Sequence, residues 1–260
     1  MRLAVERACC GYGGKPVVDD VSFALESGEV VCLLGANGSG KTTLFKAILG
    51  LLRLTGGRVL VDGVDTASWP QRRLARTLAY VPQAHTPPFP FAVRDVVLMA
   101  RTAHLGIFGA PSRRDTAIAE DALETLGVSH LAHARYTEIS GGERQLVLIA
   151  RALAQQAEFL VMDEPTSNLD FGNQVRVLRR VKELAGRKLG LLMTTHFPDH
   201  AFLCASRVAV LKTGKLLAMG TPEDVLTRQR LENAYGVSVR IVEVEAGRRV
   251  CVPEMTPEMG

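Results

Sequence analysis

Three short and largely apolar runs occur along the chain, at residues 30–34, 159–162 and 190–195. Such runs are typical of parallel strands that are covered by helices on both faces. A helix is predicted to follow the first run, from Lys41 to about Leu49. This alternation of strand and helix predicts an α/β fold with a parallel sheet, in which we expect strands 30–34 and 159–162 to be neighbours.

The two ends of the chain have the alternating pattern of strands that are half exposed. Residues 2–8 and 17–25 alternate between apolar and polar side chains, and the turn-rich segment Gly11–Pro16 separates them. The chain from Val237 onward is predicted to form a small hairpin that turns at Ala246–Gly247, followed by a frayed end.

Between about Val93 and Gln155 the pattern changes to helical spacing. It predicts helices at residues 93–103 and 113–126 and a third that begins near Gly141. The spacing i, i+3, i+4 and i+7 predicts one buried face on the third helix. The residues of that face are Leu146, Ile149, Ala150 and Leu153.

Composition and charge are those of an ordinary globular chain. The 260 residues are 47% hydrophobic and 22% charged, with a net charge of +4. The basic pairs are scattered without interleaved aromatic residues, which favours solvated faces over a nucleic-acid surface. We therefore expect no nucleic-acid partner.

The cysteines and the apolar runs bear on the cellular compartment. The five cysteines are odd in number and lack C-x-x-C spacing, and Cys32 lies in a predicted core strand, which favours a reducing compartment. The first residues do not resemble a signal peptide, and no run approaches the roughly 18–20 apolar residues that span a bilayer. We expect a cytosolic protein whose membrane role, if it has one, comes through a partner.

A glycine-rich turn after the strand at 30–34 carries the sequence GANGSGKTT, which matches G-x-x-x-x-G-K-[ST]. Backbone N–H groups of such a loop and of the following helix surround phosphate groups. Lys41 is expected to reach the β- and γ-phosphates and Thr42 to ligate Mg²⁺. The residues expected to bind the nucleotide here are Gly35, Asn37, Gly38, Ser39, Gly40, Lys41, Thr42 and Thr43.

Two adjacent carboxylates, Asp163 and Glu164, follow the strand at 159–162. In α/β folds ligands bind at the carboxyl ends of the strands. We expect Asp163 to hold Mg²⁺ through water and Glu164 to polarise the attacking water as general base. Together with the glycine-rich loop, the pair predicts a P-loop NTPase.

The segment Ile139–Glu143 reads ISGGE, which resembles the LSGGQ signature of the ABC ATPase family, with Ile for Leu and Glu for Gln. Ser140 and Glu143 also have the spacing of a capping box, and both interpretations can hold together. In the family, the exposed N–H groups of this helix start grip the γ-phosphate that is bound to another subunit. The resemblance therefore predicts that Ser140, Gly141 and Gly142 contact ATP.

Other positions resemble the same family in order along the chain. Tyr12 stands where the family has an aromatic residue that stacks on adenine; taken singly it would be interpreted as a turn tyrosine, and its placement favours the stacking role. Gln83 matches the glutamine that senses Mg²⁺ and water, and we count it among both the catalytic and the metal-binding residues. Asp170 resembles the D-loop aspartate at the dimer seam, with Asn168 where alanine is commoner. His196 resembles the histidine that contacts the γ-phosphate.

Metal binding by histidine is a further alternative that the spacing raises. His196 and His200 are four residues apart, but Pro198 between them and the lack of a third ligand argue against a metal site. His130 and His133 are also spaced for a metal, and solvated histidines at a helix end explain them better.

The resemblance covers almost the whole chain and implies a RecA-like parallel sheet with an N-terminal antiparallel β subdomain and a helical subdomain at about 90–157. One ATPase domain is expected over 1–245, with a short tail at 246–260. In the family two copies sandwich two ATP molecules, with Mg²⁺, and drive multi-helix permease subunits at the cytoplasmic face of the inner membrane. A substrate-binding protein acts with them indirectly.

The proline-rich, apolar segment Ala84–Phe91 is interpreted as a docking surface for a partner's helix, or as a stiff buried loop. The following segment, Pro90–Arg101, resembles importer ATPases for iron chelates, haem and cobalamin. The alternatives are an exporter subunit, a non-transport ABC protein and a P-loop kinase or regulatory module. An exporter subunit shares every catalytic motif with an importer subunit. Non-transport ABC proteins carry tandem cassettes or long insertions, and neither is visible here. Glu164 and His196 argue against a kinase or a regulatory module.

Overall fold

The computed structural model describes residues 1–83, 89–106, 109–245 and 247–254. Residues 84–88 of the predicted docking segment, Ala246 of the predicted turn and residues 255–260 of the predicted tail lie outside it. Within the described ranges, no helix combines the length and apolarity that crossing a bilayer requires.

The strands are β1 (Arg2–Tyr12), β2 (Lys15–Glu26), β3 (Val30–Leu34), β4 (Gly56–Val61), β5 (Val64–Asp65), β6 (Leu78–Val81), β7 (Phe159–Met162), β8 (Gly190–Thr195), β9 (Arg207–Lys212), β10 (Lys215–Gly220), β11 (Val239–Glu245) and β12 (Arg248–Pro253). The α-helices are α1 (Lys41–Ile48), α2 (Gln71–Thr77), α3 (Val93–Leu98), α4 (Arg113–Thr125), α5 (Gly141–Ala154), α6 (Phe171–Ala185), α7 (Pro198–Cys204), α8 (Pro222–Val225) and α9 (Arg228–Tyr235). Short 3₁₀ helices cover Thr66–Ser68, Met99–Ala103 and Ser129–Leu131.

The central sheet has six strands in the order β10–β9–β3–β8–β7–β6. All of them are parallel except the edge strand β10, which pairs antiparallel with β9. A four-stranded antiparallel sheet, β2–β1–β4–β5, forms the N-terminal part, and β11 and β12 form the predicted C-terminal hairpin. The predicted α/β fold with a parallel sheet core and an N-terminal antiparallel subdomain is confirmed.

The prediction that strands 30–34 and 159–162 are neighbours is wrong. β8 lies between them and pairs with β3 on one side and with β7 on the other. All six residues of β8 are buried, as a strand in the middle of a covered sheet requires. Apolar runs of similar length do not reveal their order in a sheet. Because β3, β8 and β7 are parallel, their carboxyl ends still meet at one edge.

The alternating side chains of β3 join two different cores. Val30, Cys32 and Leu34 pack with the helices α5 and α6 and with α7. Val31 and Leu33 face the other side, where α1 and the antiparallel sheet cover them. This two-sided burial explains why the strand is apolar throughout and confirms the core position of Cys32.

The helical segment contains the predicted helices with one difference in their faces. The first continues from α3 into the 3₁₀ helix Met99–Ala103, and α4 and α5 lie within one residue of their predicted ends. On α5, Leu146 and Leu153 are only half-buried, whereas Val147 and Leu148 are buried. The single predicted face is wrong because α3, α4 and α6 cover α5 from several sides.

A buried ion pair stabilises the helical segment. Arg101 Nε donates to Asp115 Oδ1 at 2.9 Å, and the two side chains are 6% and 11% exposed. Arg101 Nη1 also donates to the carbonyl of Ala154 at 2.8 Å, which links the pair to the end of α5. Hydrogen bonds from the Ser112 hydroxyl and N–H, together with Arg101, hold the pKa of Asp115 well below its usual range.

We expect the D115N substitution to lower the free energy of unfolding by about 3 kcal/mol, because it leaves the Arg101 guanidinium buried without a counter-charge. Urea denaturation at neutral pH measures this, and D121N, at an exposed position of the same helix, serves as the control. Since the pKa of Asp115 is lowered on folding, its contribution is present above pH ~4 and is lost as the pH falls further. Equal stability of D115N and D121N would contradict the role of the ion pair.

Candidate functional site

The loop between β3 and α1 has a backbone that glycine makes possible. Gly38 and Gly40 have φ of 78° and 103°, in the left-handed region that favours glycine. A Cβ on Gly40 would approach the carbonyl of Val17 to 3.1 Å, and one on Gly35 would lie 2.3 Å from the carbonyl of Leu211. Because Gly40 has no side chain to cap α1, the first N–H groups of this helix remain available to an anion.

Lys41 lies folded over its own loop. Its Nζ donates to the carbonyls of Gly35 and Ala36 at 2.7 and 3.1 Å, and its side chain is 5% exposed. Burial lowers the pKa of this ammonium group, and the nearby charges of Glu164 and Asp163 oppose the effect. The Nζ lies 3.9 Å from Glu164 Oε1, so the cation stands between the loop and the carboxylate pair.

Thr194 on β8 joins the two carboxylate residues at the end of β7. Its hydroxyl donates to Asp163 Oδ1 at 2.7 Å and accepts the N–H of Glu164 at 2.8 Å. Asp163 is 2% exposed, so this bond satisfies part of a buried carboxylate. Sequence reasoning missed Thr194. The available signal was its position, as a hydroxyl residue near the end of the apolar run that precedes His196.

Glu164 is the centre of the cleft. Its φ is 44°, a strained value for a residue with a side chain, and it places the carboxylate beside three other polar side chains. Gln83 Nε2 donates to Glu164 Oε2 at 3.0 Å, and His196 Nδ1 lies 3.5 Å from the same oxygen without forming a hydrogen bond. The predicted general base is therefore in contact with the predicted glutamine and close to the predicted histidine.

The cleft has a volume of about 630 Å³. It brings together residues from the loop after β3, the ends of β6, β7 and β8, and the start of α6. Thr42 lies exposed at the start of α1, and Asp163 is buried and does not line the cleft. The predicted residues that line the cleft are Asn37, Gly38, Ser39, Gly40, Lys41, Thr42, Thr43, Gln83, Glu164 and His196.

The remaining predicted residues lie outside this cleft. Ser140 and Gly141 are exposed at the start of α5, and Gly142 is buried against α6, where an added Cβ would meet the Asn173 side chain at 2.3 Å. Tyr12 is 48% exposed at the end of β1, with its ring 5.9 Å from Lys46 Nζ. Asp170 is exposed and caps α6 by accepting the N–H of Asn173.

The backbone conformation at position 168 explains why asparagine stands where alanine is commoner in the family. Asn168 has a φ of 60°, and asparagine adopts this left-handed conformation more readily than alanine does. Asn168 also lines the cleft beside Ser167.

His200 fixes the loop that carries His196. Its Nδ1 lies 3.0 Å from the Thr195 hydroxyl and 3.2 Å from the Thr166 hydroxyl, and the Phe197 ring stands close to both imidazoles. Within the described ranges, no group of three or more His, Cys, Asp or Glu side chains is arranged to hold a metal. Sequence reasoning did not predict this threonine–histidine contact.

Burial, with a smaller contribution from His196, lowers the pKa of His200 to about 4. Between pH ~4 and pH ~6.5 the folded protein therefore keeps the imidazole neutral, while the unfolded chain, with a histidine pKa of about 6.5, takes up a proton. We expect the stabilising effect of this burial to be complete above pH ~6.5 and to decline by about 3 kcal/mol as the pH falls to ~4.

The H200N variant should lose this part of the pH dependence, because an amide does not titrate. Denaturation midpoints from pH 4 to 7.5 measure the effect, and H133N, at an exposed position, is the control that should keep the wild-type slope. A wild-type slope in H200N would show that other groups cause the acid sensitivity.

Comparison with known proteins agrees with this geometry. The family model described as ABC transporter matches residues 18–167. An uncharacterized ABC transporter ATP-binding protein of Haemophilus influenzae is 43% identical over 93% of this chain and 92% of its own length. The hemin import ATP-binding protein HmuV of Bordetella pertussis is 38% identical over 93% of this chain and 95% of its own length. A solved structure described as an inward-facing conformation of a metal-chelate type ABC transporter has a TM-score of 0.86 and 31% identity, and the match covers 97% of both chains. The chain therefore belongs to the ABC transporter family, as an ATP-binding subunit of the kind that hydrolyses ATP.

Proposed function

We propose that this protein drives the import of a metal chelate, such as an iron–siderophore complex, haem or cobalamin. In this proposal two copies bind two ATP molecules and act on a multi-helix permease at the cytoplasmic face of the inner membrane. A substrate-binding protein delivers the cargo and nucleic acid has no part. The observation that carries the proposal is the cleft of about 630 Å³, whose lining includes Lys41, Gln83, Glu164 and His196. The relatives of the hemin-import and metal-chelate types support the class of cargo.

The loop after β3 would bind the β- and γ-phosphates of ATP. Its N–H groups and those at the start of α1 create a positive electrostatic potential in the cleft, which favours an anion. Lys41 exchanges one of its bonds to the carbonyls of Gly35 and Ala36 for a phosphate oxygen, which keeps the ammonium group paired throughout. Tyr12 supplies an exposed aromatic face for the adenine.

The donor set at the cleft fits Mg²⁺, which prefers oxygen ligands and retains several waters. The Thr42 hydroxyl and the Gln83 side-chain carbonyl would hold the ion directly, and Asp163 would hold it through water. When bound, the ion supplies positive charge that offsets the negative charge on the β- and γ-phosphates. Asp163 suits this role because Thr194 fixes its carboxylate at the strand end.

Glu164 would act as the general base for hydrolysis. Its carboxylate accepts a proton from a water molecule, whose oxygen bonds to the γ-phosphorus while the bond to the ADP oxygen breaks. Gln83 donates to Glu164 Oε2 at 3.0 Å and so fixes the base before the water arrives. His196 stands 3.5 Å from the same oxygen, with its side chain 36% exposed, and would hydrogen-bond the γ-phosphate.

The second copy would complete each site. Ser140 and Gly141 are exposed and do not line the cleft of their own chain, so the start of α5 would serve a phosphate that another copy holds. An isologous dimer gives each ATP the Lys41 of one copy and the Ser140 of the other. Loss of the γ-phosphate then removes the bridging contacts and lets the copies separate.

A second cleft, of about 840 Å³, is suited to a helix of the permease. It lies between α2 and the helical segment, and its apolar lining includes Leu51, Leu74 and Met99. Arg151 lines it without an ion-pair partner among the described residues, which suits an acidic side chain on the incoming helix. The pair Phe89 and Phe91, in edge contact with ring centroids 5.8 Å apart, adds exposed apolar surface from the predicted docking segment.

An exporter subunit is the main alternative, because exporters share every catalytic motif. Import is favoured by the relative named for hemin import. Purification with the membrane partner, followed by measurement of which ligand of its binding protein stimulates ATP hydrolysis, distinguishes the two and identifies the cargo. Stimulation by a binding protein loaded with a metal chelate supports import; stimulation by substrate without any binding protein favours export.

We expect E164Q to bind ATP but to lose hydrolysis by at least roughly a hundredfold, because an amide cannot accept the proton from water. The variant should form a dimer in ATP and remain a monomer without nucleotide, as measured by light scattering after gel filtration. E158Q, at an exposed position just before β7, should behave as the wild type. A monomeric E164Q under both conditions would contradict the proposed ATP sandwich.

We expect the double substitution of Phe89 and Phe91 by serine to leave basal ATPase activity within about twofold of the wild type but to abolish transport. The two side chains are 59% and 46% exposed, so their loss should remove partner contacts rather than core packing. Reconstituted vesicles measure transport, and L217S on β10, also an exposed apolar position, is the control. Unfolding of the double variant would instead identify the pair as part of the core.

A further inference from the structure

The hydroxyl hydrogen of Ser140 is already engaged within its own chain. Ser140 Oγ donates to Glu143 Oε2 at 2.7 Å, and the Ser140 N–H donates to the same oxygen at 2.8 Å. In return, the Glu143 N–H donates to Ser140 Oγ at 3.3 Å. A serine hydroxyl has a single hydrogen, so in this arrangement Ser140 Oγ presents only lone pairs to any further partner.

The acceptor that holds this hydrogen is a carboxylate, which accepts hydrogen bonds but does not donate them when ionised. The hydrogen bonds from Ser140, and to a smaller extent the charges of His130 and Arg176, lower the pKa of Glu143. Glu143 is therefore ionised at neutral pH, and its bond to the Ser140 hydroxyl is charge-assisted.

We propose that Glu143 restrains closure of the ATP sandwich by holding the hydroxyl hydrogen that Ser140 must donate to the γ-phosphate of the other copy. Closure then requires the Ser140 hydroxyl to rotate away from Glu143. This raises the concentration of protein and of ATP at which the dimer forms. The inference rests on the proposed dimer and names the residue that sets its threshold.

A groove lined by basic side chains lies next to Glu143 and can receive its carboxylate once that group has released the Ser140 hydroxyl. The groove has a volume of about 380 Å³, and its lining includes His130, Arg176 and Arg179 together with Glu143 itself. Arg176 and Arg179 are exposed and have no carboxylate within ion-pair distance in the described part of the chain. Glu143 can therefore exchange the Ser140 hydroxyl for a guanidinium group without being left unpaired.

Glutamine at position 143 separates this role from simple helix capping. Its carbonyl can accept the Ser140 N–H while its NH₂ donates to Ser140 Oγ, which keeps the capping box and frees the hydroxyl hydrogen. Where the carbonyl accepts the hydroxyl hydrogen instead, the bond lacks the charge that strengthens the one to Glu143. Asn173, which packs against Gly142 at a distance that excludes a Cβ, holds the turn in place from α6. The substitution thus changes the hydrogen bond more than the position of the turn.

The test compares E143Q/E164Q with E164Q, whose arrested hydrolysis allows dimerisation to be measured at equilibrium. In saturating ATP we expect the dimer Kd from sedimentation velocity to be about tenfold lower in the double variant. In the hydrolysing background, E143Q should lower the KM for ATP severalfold without raising kcat. Adding S140A should abolish the gain from E143Q, because no hydroxyl hydrogen remains to be released.

The control for charge alone is E138Q/E164Q, since Glu138 is exposed two residues before Ser140 and pairs with Arg135. An equal gain in this control, a gain that survives S140A, or an unchanged Kd in E143Q/E164Q would overturn the inference and leave the proposed dimer intact. If E164Q itself stays monomeric in ATP, the proposed dimer and this inference both fail.

Discussion

The hydroxyl of Thr194 is the contact on which the rest of the site depends. It is completely buried, donates to the carboxylate of Asp163 and accepts the N–H of Glu164. A buried carboxylate without a donor would be costly, so the strand that carries this hydroxyl has to lie beside β7. β8 pairs with β7 on this side and with β3 on the other, and His196, which directly follows β8, lies next to Glu164.

The parts of the site that depend on consecutive residues could be predicted from the sequence. The loop from Gly35 to Thr43 has its chemistry in its own backbone and in one lysine, so the motif contains most of the geometry. The carboxylates Asp163 and Glu164 could be placed because a strand end defines where its next residues lie. Their meeting with the loop follows from parallel strands, whichever strand lies between.

The parts that depend on the order of strands in the sheet, and on contacts between residues far apart in the sequence, could not be predicted. The apolar runs of β3, β7 and β8 are alike in length and burial, so periodicity contains no information about which of them is central. The contact of His200 with Thr166 joins residues far apart in sequence, and neither residue type is distinctive alone. The packing of Asn173 against Gly142 could not be predicted either, because its only trace in the sequence is a glycine, which has no side chain.

The C-terminal hairpin is bonded to the helix that follows His196. The N–H of Cys251 on β12 donates to Asp199 Oδ1, in the first turn of α7, at 2.7 Å. A truncation after residue 245 would remove β12, leave β11 without its pairing strand and free the Asp199 carboxylate. Truncations and fusions in this hairpin consequently act on α7 and on the loop before it, which carries His196.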